Sequence, residues 1–157
     1  MWTRLMILMA CWVVSCRSVP SPNAEPPHQI LKVLPHWLDQ QGRHTLSPSL
    51  FERDAYQQHL SLHRDEVSTM RFDVNWRLAT RDLTGCTFHL EARVGRDDAI
   101  ETIEHEVPLQ LPSLRRQGWT GIQIPEGSWD PESNLMAWRV TLRQESTILA
   151  TRTSFLW

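Results

Sequence analysis

The clearest order in the chain is a period of two. Met70, Phe72, Val74, Trp76 and Leu78 alternate with Arg71, Asp73, Asn75 and Arg77. The pattern returns at Cys86, Phe88, Leu90, Ala92 and Val94 against Thr87, His89, Glu91 and Arg93, and again at Met136, Trp138, Val140 and Leu142. Successive side chains of a strand point to opposite faces, so each segment predicts a strand with one dry face and one wet face, as in antiparallel sheets. Cys86 falls on a dry face and reads as a small core residue rather than a reactive thiol.

Weaker segments fill the gaps. Residues 30–38 are apolar but contain Pro35, and read as an edge strand or two short pieces, because proline is tolerated at edges and not in central strands. Further strands are expected over 100–107 and 119–124, and the stretch 125–134 is dense in turn formers. In 148–157, Leu149, Phe155 and Trp157 share one parity and Ile148, Ala150 and Leu156 the other, which predicts a central strand or one with a bulge. One helix is expected near 48–60. Ser47 is its N-cap ahead of Pro48, and Phe51, Ala55, Tyr56 and Leu60 form its inner face, laid over an open end or edge of a sheet.

Together these elements predict a mainly β chain: a single antiparallel β-sandwich of six to seven strands with one short helix, over residues 30–157. The strand number and closing hairpin resemble immunoglobulin-like and fibronectin-III-like domains. The cysteine pair of true immunoglobulin domains is missing, so the resemblance concerns architecture and carries no function.

Ahead of the domain, Arg4 precedes an uncharged apolar run over 5–14. That is about half of the roughly 20 residues a membrane-spanning helix needs, and suits the apolar core of a cleavable signal. Val13, Val14, Ser15 and Cys16 close the run and resemble the lipobox of a bacterial lipoprotein. The resemblance implies that the Cys16 thiol takes a diacylglyceryl group, that residues 1–15 are removed as a signal peptide, and that the new amine is acylated. Cys11, behind Leu8, Met9 and Ala10, is a rival that leaves too short an apolar core. In that family, retention at the inner membrane uses Asp after the cysteine. Arg17 stands there, so in a host with two membranes the outer one is the expected destination. Residues 16–29 carry four prolines and almost no large aliphatic side chain, which predicts a disordered tether able to reach about 40 Å. The expected partners are thus a membrane, through the lipid, and an envelope protein or glycan.

Composition narrows the function. The formal net charge is −2, and the basic residues, 16 in all, are scattered and almost all arginine. No basic patch points to nucleic acid. With Cys11 cleaved and Cys16 lipidated, Cys86 has no partner for an intramolecular disulfide.

Candidate chemistry is sparse. His59 and His63 have the spacing of a zinc pair, but Leu60 stands where a zinc-protease motif needs Glu. Asp97, Asp98, Glu101, Glu104 and Glu106 lack the glycine-spaced pattern of a calcium loop, and Glu126, Asp130 and Glu132 suit turns. Gly127-Ser128-Trp129 lacks a nucleophile elbow. The expectation is a non-enzymatic chain without cofactor or metal. Tryptophan is the excess that remains: Trp76 and Trp138 belong to dry faces, whereas Trp119 and Trp129 flank or lie in loops and are the candidate ligand contacts, with Arg115 and Arg116 close by. The leading expectation is a structural or protein-interaction module, and the alternative a glycan-binding module using those two indoles.

The anchor has a direct test. Incorporation of labelled lipid is expected to survive Cys11→Ala and to disappear in Cys16→Ala; labelling indifferent to Cys16 would exclude it as the modified residue.

Overall fold

The computed structural model describes residues 28–79, 84–96, 99–109 and 116–157. Cys16, residues 1–27 of the expected signal and tether, and Asp97, Asp98 and Arg115 lie outside the described residues. Seven strands form in chain order: β1 (Gln29–Asp39), β2 (Val67–Arg77), β3 (Cys86–Arg96), β4 (Ala99–Pro108), β5 (Gln117–Gln123), β6 (Asn134–Gln144) and β7 (Thr147–Thr153). One helix, α1 (Leu50–Leu62), joins β1 to β2 together with a short 3₁₀ turn at Arg64–Glu66. The sheets are β1-β2-β5 and β4-β3-β6-β7, antiparallel throughout. Their dry faces merge in one core, so the molecule is the expected antiparallel β-sandwich of seven strands with one helix.

The period-two segments explain that core. Met70, Phe72, Val74 and Trp76 of β2 face Cys86, Phe88, Leu90, Ala92 and Val94 of β3, and all are buried. The indole of Trp76 donates Nε1–H to Thr120 Oγ1 at 2.9 Å, so its one polar atom is satisfied inside the sandwich.

Four expectations need correction. Met136 is 45% exposed rather than on the dry face. Arg93 and Val94 of β3 pair with Ala137 and Leu135, so Met136 is the extra residue of a bulge and the parity of β6 flips there. The helix is capped by Ser49, whose Oγ accepts from the Glu52 N–H, and not by Ser47. Its inner face is Arg53, Tyr56, Gln57 and Leu60, while Phe51 and Ala55 are exposed. Lastly, β7 is an edge strand, not a central one. It carries the anticipated bulge, since Leu142 and Arg143 pair with Ala150 and Ile148, and Phe155, Leu156 and Trp157 have left the ladder.

The helix is seated by polar contacts. Gln57 uses its amide as a piece of strand: Oε1 accepts the Trp37 N–H at 2.8 Å and Nε2 donates to the Trp37 carbonyl at 3.0 Å. These groups face away from β2. Pro35, two residues earlier in the same register, therefore turns its missing N–H to the open edge, which is why β1 continues through it as one strand.

At the end of β1 the buried Asp39 carboxylate accepts from the backbone N–H groups of Gln41 and Arg43 at 2.9 and 2.8 Å, from Arg43 Nε at 2.8 Å and from the Tyr56 hydroxyl at 2.6 Å. Burial alone would raise its pKa. The hydrogen bonds from Tyr56, Arg43 and Gln41 outweigh burial and hold it at about 2, below the ordinary 3.8. A depressed pKa stabilises the fold above the unfolded value, and that stability is lost as pH falls through the folded one. Asp39→Asn is expected to cost about 2 kcal/mol at neutral pH and to remove part of the acid dependence between pH 3.8 and about 2, read by chemical denaturation across that range.

Candidate functional site

The outer face of the three-stranded sheet is built from the polar half of the β2 alternation. Arg71, Asp73 and Asn75 point outward, and the ladder sets a neighbour on each side of them. The rows are Lys32–Asn75–Trp119, Leu34–Asp73–Gly121 and His36–Arg71–Gln123. Trp119, expected at the start of a strand beside a loop, sits in the middle of the regular strand β5, and 55% of it is exposed. Gly121 keeps its row low: a Cβ there would stand 3.2 Å from Arg71 Cδ and 3.4 Å from Asp73 Oδ1. The indole therefore stands at the rim of a shallow polar surface.

The other end of this face is charged and partly buried. Arg71 Nη2 donates to Asp73 Oδ2 at 3.0 Å and lies 3.1 Å from His44 Nδ1. His36 is buried, with Nε2 3.5 Å from Asp73 Oδ2 and its ring 5.1 Å from that of His44. An open cleft between α1 and β1, lined by Leu34, His36, Arg53 and Gln57, adjoins the cluster. Burial lowers the pKa of His36; Asp73 opposes that, and His44, Arg53 and Arg71 add to it. His44 is lowered by burial and by Arg71 and Arg53, again against Asp73. Both imidazoles are neutral at neutral pH, leaving ring nitrogens as hydrogen-bonding groups.

Of the two candidate tryptophans, only Trp119 offers a surface. Trp129 is 5% exposed and packs edge-on against Trp37 at 5.3 Å in the core. Its loop folds back over the sandwich, so a buried ring has no face for a ligand, and the expectation for Trp129 is corrected to core. Arg116 is exposed, with Nη1 3.5 Å from the Ala79 carbonyl. His59 and His63 stack at 4.2 Å and His59 Nε2 lies 3.0 Å from Glu66 Oε2. Among the described residues no group of three His, Cys, Asp or Glu is placed to hold a metal ion.

The outer face of the four-stranded sheet is self-paired. Glu91 of β3 takes both nitrogens of the Arg139 fork, which holds its pKa below the usual carboxylate range against the effect of burial. His89 lies 3.5 Å from Glu104, and Arg143 lies 3.8 Å from Glu106. The guanidiniums of Arg93 and Arg139 lie against the Trp157 ring at 4.1 and 4.5 Å. Glu104 and Glu106 thus share one side of β4, as their spacing predicts, and face His89 and Arg143.

The sequence reading missed the His36–His44–Arg71–Asp73 cluster. Position 36 has the polar parity of its strand, but His44 arrives from the loop after β1, and only the fold joins them. Comparison with protein-family models, curated proteins and solved structures finds no match.

The cluster has a pH signature. A histidine whose folded pKa is depressed stabilises the fold fully above its unfolded value of 6.5, and that stability is lost as pH falls through the lowered folded value. The urea midpoint is expected to drop between about pH 7.5 and about pH 5, and His36→Gln to flatten the drop. An unchanged slope in that variant would remove His36 as its source.

Proposed function

We propose that this chain is a lipid-anchored protein of the bacterial cell envelope whose sandwich is a non-enzymatic interaction module. Cys16 carries the lipid, a proline-rich tether spaces the domain from the membrane, and the outer face of the three-stranded sheet around Trp119 meets an envelope protein. The observation that carries the reading is the exposure of Trp119 at 55% in mid-strand, beside a face of polar groups. Large exposed aromatics of this kind serve as interface anchors, because a rigid ring loses little entropy on burial. The anchor rests on the residues 4–16 pattern alone. For a host with two membranes, the proposal extends to the outer one.

A second reading, a glycan-binding module, is favoured by one specific juxtaposition. Asn75 pairs directly across from Trp119, and Asp73 stands one row along, so sugar hydroxyls would find an amide and a carboxylate beside a stacking ring. Trp129 has no part in this version.

Crosslinking in the native envelope tests the first reading and a glycan array the second. Trp119→Ala is expected to lower capture of a defined protein partner about tenfold or more, while Phe155→Ala, also exposed but outside this face, leaves it unchanged. Sugar binding that depends on Trp119 would select the glycan. Capture and sugar binding both indifferent to Trp119 would remove this face as the site.

A further inference from the structure

The four sheet edges are not treated alike. The free edge of β1 is closed by the Gln57 amide and holds Pro35. That of β4 carries Glu101, Glu104, Glu106 and Pro108. Strand β7 is bulged, and its Arg152 Nη1 donates to the Ile30 carbonyl at 3.3 Å, tying it to β1. Charge, proline, bulges and covering groups are the usual means of blunting an edge. Strand β5 shows none of them among the described residues. Its sequence, Gln-Gly-Trp-Thr-Gly-Ile-Gln, is uncharged and free of proline, and its register with β2 is unbroken. Among the described residues no backbone group pairs with its outer side.

Which groups face out follows from two bonds flanking the strand. The Ile124 N–H donates to the Met70 carbonyl and the Leu78 N–H to the Arg116 carbonyl. Even-numbered residues therefore turn their backbone groups to β2, and Gln117, Trp119, Gly121 and Gln123 turn theirs to the open edge.

We propose that this edge pairs with the same edge of a second copy of the chain, antiparallel about a two-fold axis at Thr120. Odd residues must meet odd residues, which leaves axes at 119, 120 or 121 near the middle of the strand. An axis at 119 sets the two Trp119 rings directly opposite, and one at 121 sets Trp119 against Gln123. Both leave an end unpaired. The axis at 120 pairs the strand over its full length. Gln117 then meets Gln123 of the other copy, and the backbone groups of all four odd residues are satisfied. On the outer face each Trp119 lies across from Gly121, and on the inner face each Ile122 lies across from Gly118. A large side chain thus meets a glycine on both faces, in both copies, and a ring laid over a cross-strand glycine covers the exposed backbone. Neither glycine can fill that space itself: a Cβ would stand 3.0 Å from Trp76 at Gly118 and 3.2 Å from Arg71 at Gly121. Such an interface is isologous and closes on itself, with no charge opposed to its like.

An edge of seven residues buries less than the roughly 1,200 Å² of a standard interface, so the dimer is weak and gains from high local concentration. It requires neither the lipid nor the partner proposed above. It leaves the outer face open and sets both Trp119 rings on one continuous sheet, as diagonal neighbours about 7–8 Å apart.

The Thr120 pair in this register is non-hydrogen-bonded, with Cα atoms about 4.5 Å apart, within disulfide reach. Mild oxidation of membranes bearing the full chain is expected to give a disulfide dimer for Thr120→Cys. None is expected for the unsubstituted chain or for Gln123→Cys, whose two copies lie at opposite ends of the interface. Sedimentation of the detergent-solubilised full chain supplies a second readout at exposed positions that do not bear on folding. Gln117→Lys with Gln123→Lys opposes like charges and is expected to weaken self-association about threefold to tenfold, whereas Gln117→Lys with Gln123→Glu restores it. Absence of the Thr120→Cys dimer together with self-association indifferent to those charges overturns the proposal; a dimer through Gln123→Cys overturns the register.

Discussion

Two open sheets have four edges, and every backbone N–H and C=O along them needs a partner or water. That requirement shapes this molecule more than its core does. The core is a conventional meeting of dry faces, and apolar side chains of about the right size would fill it in several ways. The edges are specific. A loop and a helix between β1 and β2 bring one glutamine amide against Trp37, and the carboxylate of Asp39 fixes that loop and helix together. Leu60, fully buried, adds the apolar footing.

The wet faces divide in character. On the four-stranded sheet, charges answer one another across strands, from Glu106 and Arg143 through Glu91 and Arg139 to the ring of Trp157. Such a face is saturated and has little left to offer a ligand. On the three-stranded sheet the polar groups are fewer, one row contains a glycine, and among the described residues the aromatic ring has no cation against it. The contrast between Trp157, held by two arginines, and Trp119, held by none among the described residues, separates a ring used within the chain from one available beyond it.

Strand positions and the sandwich were legible because a half-buried strand writes its two environments into alternate residues, as β2 and β3 do. The failures have separate physical causes. One extra residue, Met136, shifts the parity at the start of β6 while Trp138, Val140 and Leu142 beyond it keep the expected dry face, and nothing in a lone sequence marks a bulge. The apolar spacing of α1 places Tyr56 and Leu60 correctly but not Phe51 and Ala55, because the inner face also carries Arg53 and Gln57, polar residues that an apolar pattern passes over. Trp129 sits among turn formers yet plugs the core, since a loop can fold inward wherever the sheets leave a gap. The candidate face was half legible. Arg71, Asp73 and Asn75 declare a wet side, but neither the nearness of His44 nor the openness of β5 follows from local pattern.

The closure of β1 has a mechanical side. The described chain enters the sandwich at Gln29 and runs the length of β1 before turning at Asp39. A force directed along β1 from its Gln29 end would load the bonds to β2 in shear, so that they share the strain instead of opening one by one. The Gln57 amide grips the opposite side of the same strand near its far end, and Asp39 pins the turn beyond it. The element that shields a vulnerable edge is thereby also a brace, placed where a load on the leading segment would arrive.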